Sequence, residues 1–272
     1  MSETLTEATP EAQTLWLKER SELLQKDRAL DHAANKIELT YKIAIVDGKL
    51  GQLRKEMLRK DRSLLIGDFH DKKEALLNSP LYDCFLRLPK PAVHHAHLTA
   101  CSEIDQLIAL TYKSCVYYSQ TANEFHVSAK GCKKEGFIKV KTLRQYWKNP
   151  AEFDKFLRDK MVCKPTADQR TDHAVWGGFQ FKFQLTFALY NYKPFFERIL
   201  YRVTRNFMNE LVTVVEYRHI IGCLFDDDGK TIPLEEELAI FQKCQDNIQA
   251  RYPLFRMRLI ICGLKMFGKA HI

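Results

Sequence analysis

No Cys-x-x-Cys pair occurs in the 272 residues; the eight cysteines, Cys84, Cys101, Cys115, Cys132, Cys163, Cys223, Cys244 and Cys262, stand singly. That spacing argues against a zinc ribbon and a thioredoxin-type dithiol. Eight thiols are also too sparse for a disulfide scaffold of this length, and there is no Asn-x-Ser/Thr sequon. These absences predict a reducing, cytoplasmic setting. No stretch approaches the roughly 18 consecutive apolar residues of a membrane-spanning helix. The N-terminus MSETLTEATPEAQ is polar and acidic, with no basic region leading into an apolar run. Neither a membrane partner nor a secretory leader is therefore expected. Fixed-period repeats and low-complexity tracts are missing as well. What is present is 46% hydrophobic and 28% charged residues. That composition excludes a disordered chain and allows one large domain or two small ones.

The formal net charge of +8 is unevenly spread. Residues 1–80 carry 14 basic and 14 acidic side chains, so the whole surplus lies in 81–272. Most of it falls in 128–164, where eleven Lys and Arg face four acids. Such a run attracts phosphates or an acidic partner, or else forms a solvated helical face. No zinc-finger or RNA-recognition signature accompanies it, so nucleic acid is not the expected partner.

Residues 1–80 read as a helical extension. Trp16, Leu23, Leu30 and Ile37 recur every seven residues, which places them on one stripe of a helix. Asp47-Gly48, helped by Gly51, predicts a turn, a second charged helix is expected over 52–66, and Asn78-Ser79-Pro80 closes the extension. A short helix over 82–88 is stopped by Pro89. Residues 92–98, apolar apart from their histidines, predict a buried strand. Residues 101–118 predict a helix, and 119–175, broken by Gly131, Gly136, Pro150 and Pro165, an irregular basic insertion of functional or subdomain character. An aromatic-rich stretch covers 176–193. Phe196, Ile199, Leu200, Val203 and Phe207 space out an amphipathic helix over 194–210. The β-branched run 212–217 predicts a strand. Pro233 opens a helix with Leu234, Leu238, Phe241 and Ile248 on one face, and 257–262 is a further buried strand. Strands alternating with helices predict an α/β protein with parallel strands.

His95-Ala96-His97 is the sharpest chemical feature. Residues i and i+2 of a strand point to one face, so two imidazoles there can share one metal ion, and neutral imidazole suits zinc. Strand histidines also serve as hydrogen-bonded core or edge residues. Two ligands do not complete a catalytic zinc site, which takes three protein groups and a water. Around this pair, Asn78-Ser79-Pro80-Leu81-Tyr82, Leu88-Pro89-Lys90 and His95-Ala96-His97, in that order, resemble the barrel entry of the adenosine deaminase family. The similarity is to the branch called adenosine-deaminase-related growth factors, with Pro91 where that branch has glycine. Trp176-Gly177-Gly178-Phe179 resembles the branch's Trp-x-x-Phe segment. The stretch 201–207, followed by Val215-Glu216-Tyr217-Arg218, resembles a helix and second strand, and 256–265 fits a third. The resemblance runs from about Ser79 to the C-terminus.

The resemblance implies the N-terminal part, about three of eight strands, of a (β/α)₈ TIM-type barrel over 81–272, interrupted by the insertion at 119–175. It implies His95 and His97 as zinc ligands and Trp176 beside a purine pocket. The implied reaction is attack of zinc-activated water on the C6 of a purine nucleoside, releasing ammonia. Trp176 also reads as a core aromatic, and Glu216 with Arg218 as a structural ion pair.

The family's substrate-binding aspartate behind the histidines is absent; Thr99, a hydrogen-bonding residue without charge, is the substrate-binding candidate there. Segments resembling those with the family's third histidine, catalytic glutamate and metal-binding aspartate are not found. Only 178 residues run from His95 to Ile272, against about 250 for a closed barrel. Three readings follow: one part of a deaminase completed by a complementary polypeptide; a non-catalytic structural or docking subunit of a larger assembly, held through residues 11–77; or a shortened form of an ordinary deaminase. In each, the chain alone is expected to lack deaminase activity.

Overall fold

The computed structural model describes residues 9–29, 41–66, 69–163 and 172–263. They fall into two compact units, Met1–Phe85 and Leu86–Ile272.

In the first unit, α1 (Pro10–Ala29) exposes Leu15, Trp16, Leu17, Leu23 and Leu24. Two members of the expected stripe, Trp16 and Leu23, thus lie on solvent-facing turns, while Leu30 and Ile37 fall outside the described residues. The expected turn at Asp47-Gly48 does not form. α2 (Tyr41–Lys60) runs straight through Gly48 and Gly51. Each glycine weakens a helix by about 1 kcal/mol relative to alanine but does not forbid it. Side-chain bonds one turn apart, such as Gln52 Nε2 to Glu56 Oε1 at 2.9 Å, support the same stretch. A 3₁₀ turn at Arg62–Leu65 is capped by Asp61, whose carboxylate accepts from the Ser63 N–H at 2.8 Å. After α3 (Phe69–Leu77), the hydroxyl of Ser79 accepts from the Tyr82 N–H at 3.1 Å and starts α4 (Pro80–Arg87).

The second unit opens with β1 (Lys90–His97) and the single turn α5 (Leu98–Cys101). The helix expected over 101–118 is real only as α6 (Ile104–Leu110); beyond it, β2 (Val116–Ser119) is a fully buried strand. Val116, Tyr117 and Tyr118 are β-branched and aromatic, residue types that favour a pleated surface. Here they pair antiparallel with β3 (Glu124–Val127) and β4 (Ile138–Lys139). The supposedly irregular insertion is therefore a small ordered sheet followed by α7 (Val140–Tyr146) and α8 (Pro150–Met161). Its connections hid it, because Gly131 and Gly136 hold φ of +101° and +76°. Arg144, buried at 5% exposure, fixes the subdomain. It donates to Asp154 at 2.9 Å and to the Thr111 carbonyl at 3.0 Å.

The aromatic stretch is the helix α9 (Asp172–Asn191), followed by the amphipathic α10 (Lys193–Asn209), β5 (Val212–His219), α11 (Leu234–Gln249) and β6 (Arg256–Ile261). The three strands expected to be parallel are so, in the order β1-β5-β6. β5 alternates: Val215, Tyr217 and His219 are buried, whereas Val214, Glu216 and Arg218 are only partly covered. The buried set faces helices. The Tyr217 hydroxyl shares a 3.0 Å hydrogen bond with Thr204 of α10, and His219 meets Glu237 of α11 at 2.5 Å. Phe196, Ile199, Leu200 and Val203 of α10 and Ile240, Phe241, Cys244 and Ile248 of α11 belong to this core. The face expected for α11 is partly wrong: Phe241 and Ile248 are buried, but Leu234 and Leu238 are exposed. The first of them is the opening residue of the helix, and the buried stripe runs instead through Glu237, Ile240, Phe241, Cys244 and Ile248.

No helix among the described residues is long and apolar enough to cross a membrane. None of the eight cysteines is in a disulfide.

Candidate functional site

β1 carries three histidines in four positions, which simple alternation cannot place on one face. Its register against β5 shows how they are arranged. Val93 pairs with Val215 and Ala96 with Tyr217. Between these pairs β1 has two residues, His94 and His95, against the single Glu216. This is a β-bulge, a device that re-aims side chains and recurs beside active sites. Past it the ladder resumes, with His97 opposite Arg218.

His95 and His97 project together, with Nε2 atoms 3.0 Å apart and ring centroids 5.0 Å apart. The His97 imidazole is held below its usual pKa, first by partial burial and then by the neighbouring His95 and the Arg218 guanidinium. All three effects disfavour the protonated ring, so the fold favours the neutral form, which is the metal-binding form.

Behind the pair lies a charged web on the same side of β5. The Glu216 carboxylate stands 3.3 Å from Arg258 Nη1 on β6, 3.8 Å from Arg218 Nη1 and 3.8 Å from His94 Nδ1. Glu216 and Arg218 are only 15% and 20% exposed. The ion pair expected between them is present but long, and Arg258 is the closer partner of Glu216. Arg218 uses its Nη1 to donate to the backbone carbonyl of His94.

The donor set fits a metal in part. Two imidazole nitrogens bound tetrahedrally at about 2.0–2.1 Å would stand about 3.3 Å apart. A rotation of a few tenths of an ångström separates the observed pair from that spacing. Among the described residues, however, no group of three or more His, Cys, Asp or Glu side chains stands together to hold an ion. Two imidazoles would make up half of a four-coordinate shell.

The other two sequence candidates lie apart in different ways. Thr99 follows His97 closely, but β1 ends at His97 and Thr99 sits half-buried within α5. Trp176 is on α9, 59% exposed, and its ring contact is with Phe179 at 5.7 Å, not with His95 or His97. Phe179 in turn meets Phe183 at 4.9 Å edge-on, so Trp176 begins an aromatic ladder along the helix and is not a core residue.

Sequence reasoning missed His94 and Arg258 as members of the web. One signal was available: adjacent histidines in a strand cannot share a face unless the strand bulges. Arg258 carried no such signal, since only the β5–β6 register brings it opposite Glu216.

The chain matches no protein-family model. It is similar to adenosine deaminase 2-A of Danio rerio, 24% identical over 230 residues, 80% of this chain and 46% of that protein. It is similarly related to an adenosine deaminase of Phlebotomus duboscqi, 24% identical over 233 residues, 80% of this chain and 45% of the relative. An adenosine deaminase of Aedes albopictus is 25% identical over 189 residues, 65% of this chain and 34% of the relative. The chain spans about half the length, or less, of these curated relatives.

Proposed function

From the premise that this chain is a relative of the adenosine deaminases, we propose that it contributes the first two ligands of a zinc site for the hydrolytic deamination of a purine nucleoside. The observation that carries this reading is the 3.0 Å approach of His95 and His97 on one side of the first parallel strand. Zinc, when bound, supplies a Lewis acid and lowers the pKa of water so that it can act as a nucleophile at neutral pH. The chain's own residues present two imidazoles at the carboxyl end of β1, and the surroundings of His97 favour its neutral form. In a (β/α)₈ barrel, that is where active sites are built. Trp176, with its exposed ring, offers a flat apolar surface for a purine face, and Thr99 offers a hydroxyl. Water attacks the purine carbon bearing the amino group, and ammonia leaves with the proton that water gives up.

The remaining ligands come, in this reading, from a complementary polypeptide whose strands extend the parallel sheet. Support for this is the sheet order β1-β5-β6, which leaves β1 and β6 as its edge strands among the described residues. Open sheet edges invite pairing. The 272 residues alone are then without deaminase activity. A second reading, a docking subunit derived from a deaminase, is favoured by Thr99 in place of an acidic residue.

Native mass spectrometry of the protein purified from its source, with metal retained, separates the two. Zinc together with additional polypeptide, in one longer chain or in a second one, is the expected result. A metal-free chain in a larger assembly supports the docking subunit. Robust zinc-dependent release of ammonia from adenosine by the purified 272-residue chain overturns the proposal that the site is shared.

A further inference from the structure

We propose that Arg218 is a positioning residue for the histidine pair: by donating to the carbonyl of His94 it pins the bulge of β1 and so keeps the imidazoles of His95 and His97 together. The metal-binding consequence rests on the zinc reading above; the positioning itself does not.

The register carries the first part of the argument. Two residues of β1 stand opposite Glu216 alone, and the extra residue of a bulge is left out of the ladder. A carbonyl at a bulge is open to a donor from outside the ladder. Arg218 provides one, from the adjacent strand and two positions past Glu216, where the bulge stands. The alternative to the bulge is a slip of one residue. Because side chains alternate with period two, a slip moves the whole set to the opposite face. His95 and His97 would then point toward the side where Tyr217 and Thr204 are fully buried, which has no room for two imidazoles.

The magnitudes assign this role to the carbonyl contact and not to the ion pair. Glu216 and Arg218 are 3.8 Å apart, at the outer limit of an ion pair. Glu216 also has Arg258 closer to hand at 3.3 Å. Hydrogen bonds from a charged donor are roughly twice as strong as neutral ones. A mostly covered guanidinium aimed at His94 is therefore best explained by that carbonyl. Outer groups that orient metal-bound histidines typically change metal affinity by about 10–100-fold when removed.

The test uses the full chain with Arg218→Met, Arg218→Lys and Glu216→Gln. Long-range ¹H–¹⁵N spectra of the metal-free protein report whether the His95 and His97 rings remain hydrogen-bonded to each other. Titration with Co²⁺, followed by its visible absorption, reports the metal site, and thermal melting reports the fold. The expected result is loss of the imidazole–imidazole signature in Arg218→Met. Co²⁺ affinity falls about 10–100-fold with an unchanged far-UV spectrum. Arg218→Lys, which keeps the charge but not the reach and planarity of the guanidinium, lies between the two, and Glu216→Gln keeps the wild-type signature. Wild-type imidazole spectra in Arg218→Met overturn the proposal. If Arg218→Met does not fold, wild-type spectra and affinity in Arg218→Lys overturn it equally. The zinc reading has further polypeptide completing the site, so it stands or falls by the native mass spectrum above; if the isolated wild-type chain takes up no Co²⁺, the metal-free spectra alone decide the role of Arg218.

Discussion

Glu237 offers the most direct check on what holds the parallel sheet to its helices. It lies in the first turn of α11, fully buried, and both carboxylate oxygens are used. Oε1 stands 2.5 Å from His219 Nε2, and Oε2 accepts from the Gly222 N–H at 2.9 Å. The His219 ring is itself enclosed by Phe196 and Phe241, with centroids at 5.2 and 5.1 Å. Replacing Glu237 by leucine leaves the buried His219 ring without its partner, at about 1–3 kcal/mol, and frees the Gly222 N–H, which lies at an exposed position. Breaking a buried ionic or hydrogen-bonded pair from one side costs about 3–5 kcal/mol. For a unit of this size, 1 kcal/mol shifts the melting midpoint by about 2–4 °C. Glu237→Leu should therefore lower the midpoint by about 6–20 °C. The double variant His219→Phe/Glu237→Leu puts a phenyl ring between Phe196 and Phe241 and removes both members of the hydrogen-bonded pair. It should recover most of the loss, because the Gly222 N–H lies at an exposed position where water can accept from it. Calorimetry on wild type, both single variants and the double variant closes the cycle. If the two single losses simply add in the double variant, His219 and Glu237 are not coupled and the reasoning fails.

Two further outcomes are expected. Gly48 and Gly51 sit inside α2 with open space where an alanine methyl would point and without positive φ; alanine at both should stabilise the helix by up to about 1 kcal/mol per site, read as a rise in helical circular dichroism during melting, and a fall would mean that the chain does turn there. The Cys244 thiol is pushed up to about 11 by burial, against an ordinary value of 9.0; the unfolded chain therefore loses that proton first, so stability present below pH 9 declines as pH rises toward 11. Cys244→Ala should flatten part of that alkaline decline in denaturant titrations, and an identical slope in both proteins would remove Cys244 from the account.

Local chemistry made several elements legible. The run from Val212, the spacing of Phe196, Ile199, Leu200 and Val203, and the His95-Ala96-His97 repeat each announce their structure, because period two and period 3.6 are properties of the backbone itself. Parallel pairing was also inferable, since a helix between strands leaves little other geometry. Val116-Tyr117-Tyr118 was misread because a short apolar run beside a helix has no period of its own. Its identity as a strand depends on pairing with β3 and β4, which lie further along the chain. Gly48 misled for the opposite reason: a turn-forming residue states a preference worth about 1 kcal/mol, which the neighbouring residues of α2 outweigh.

By itself, then, the sequence determined an α/β chain with three parallel strands and a pair of histidines able to face one way. That they do so follows from contacts between distant strands. The bulge opposite Glu216, the Arg218 contact with the His94 carbonyl and the approach of Arg258 all depend on register between strands distant in the chain. Arg218 is 124 residues from His94, and Arg258 is 42 from Glu216. Register is set by which faces are buried against α10 and α11, and no local window of sequence contains that information.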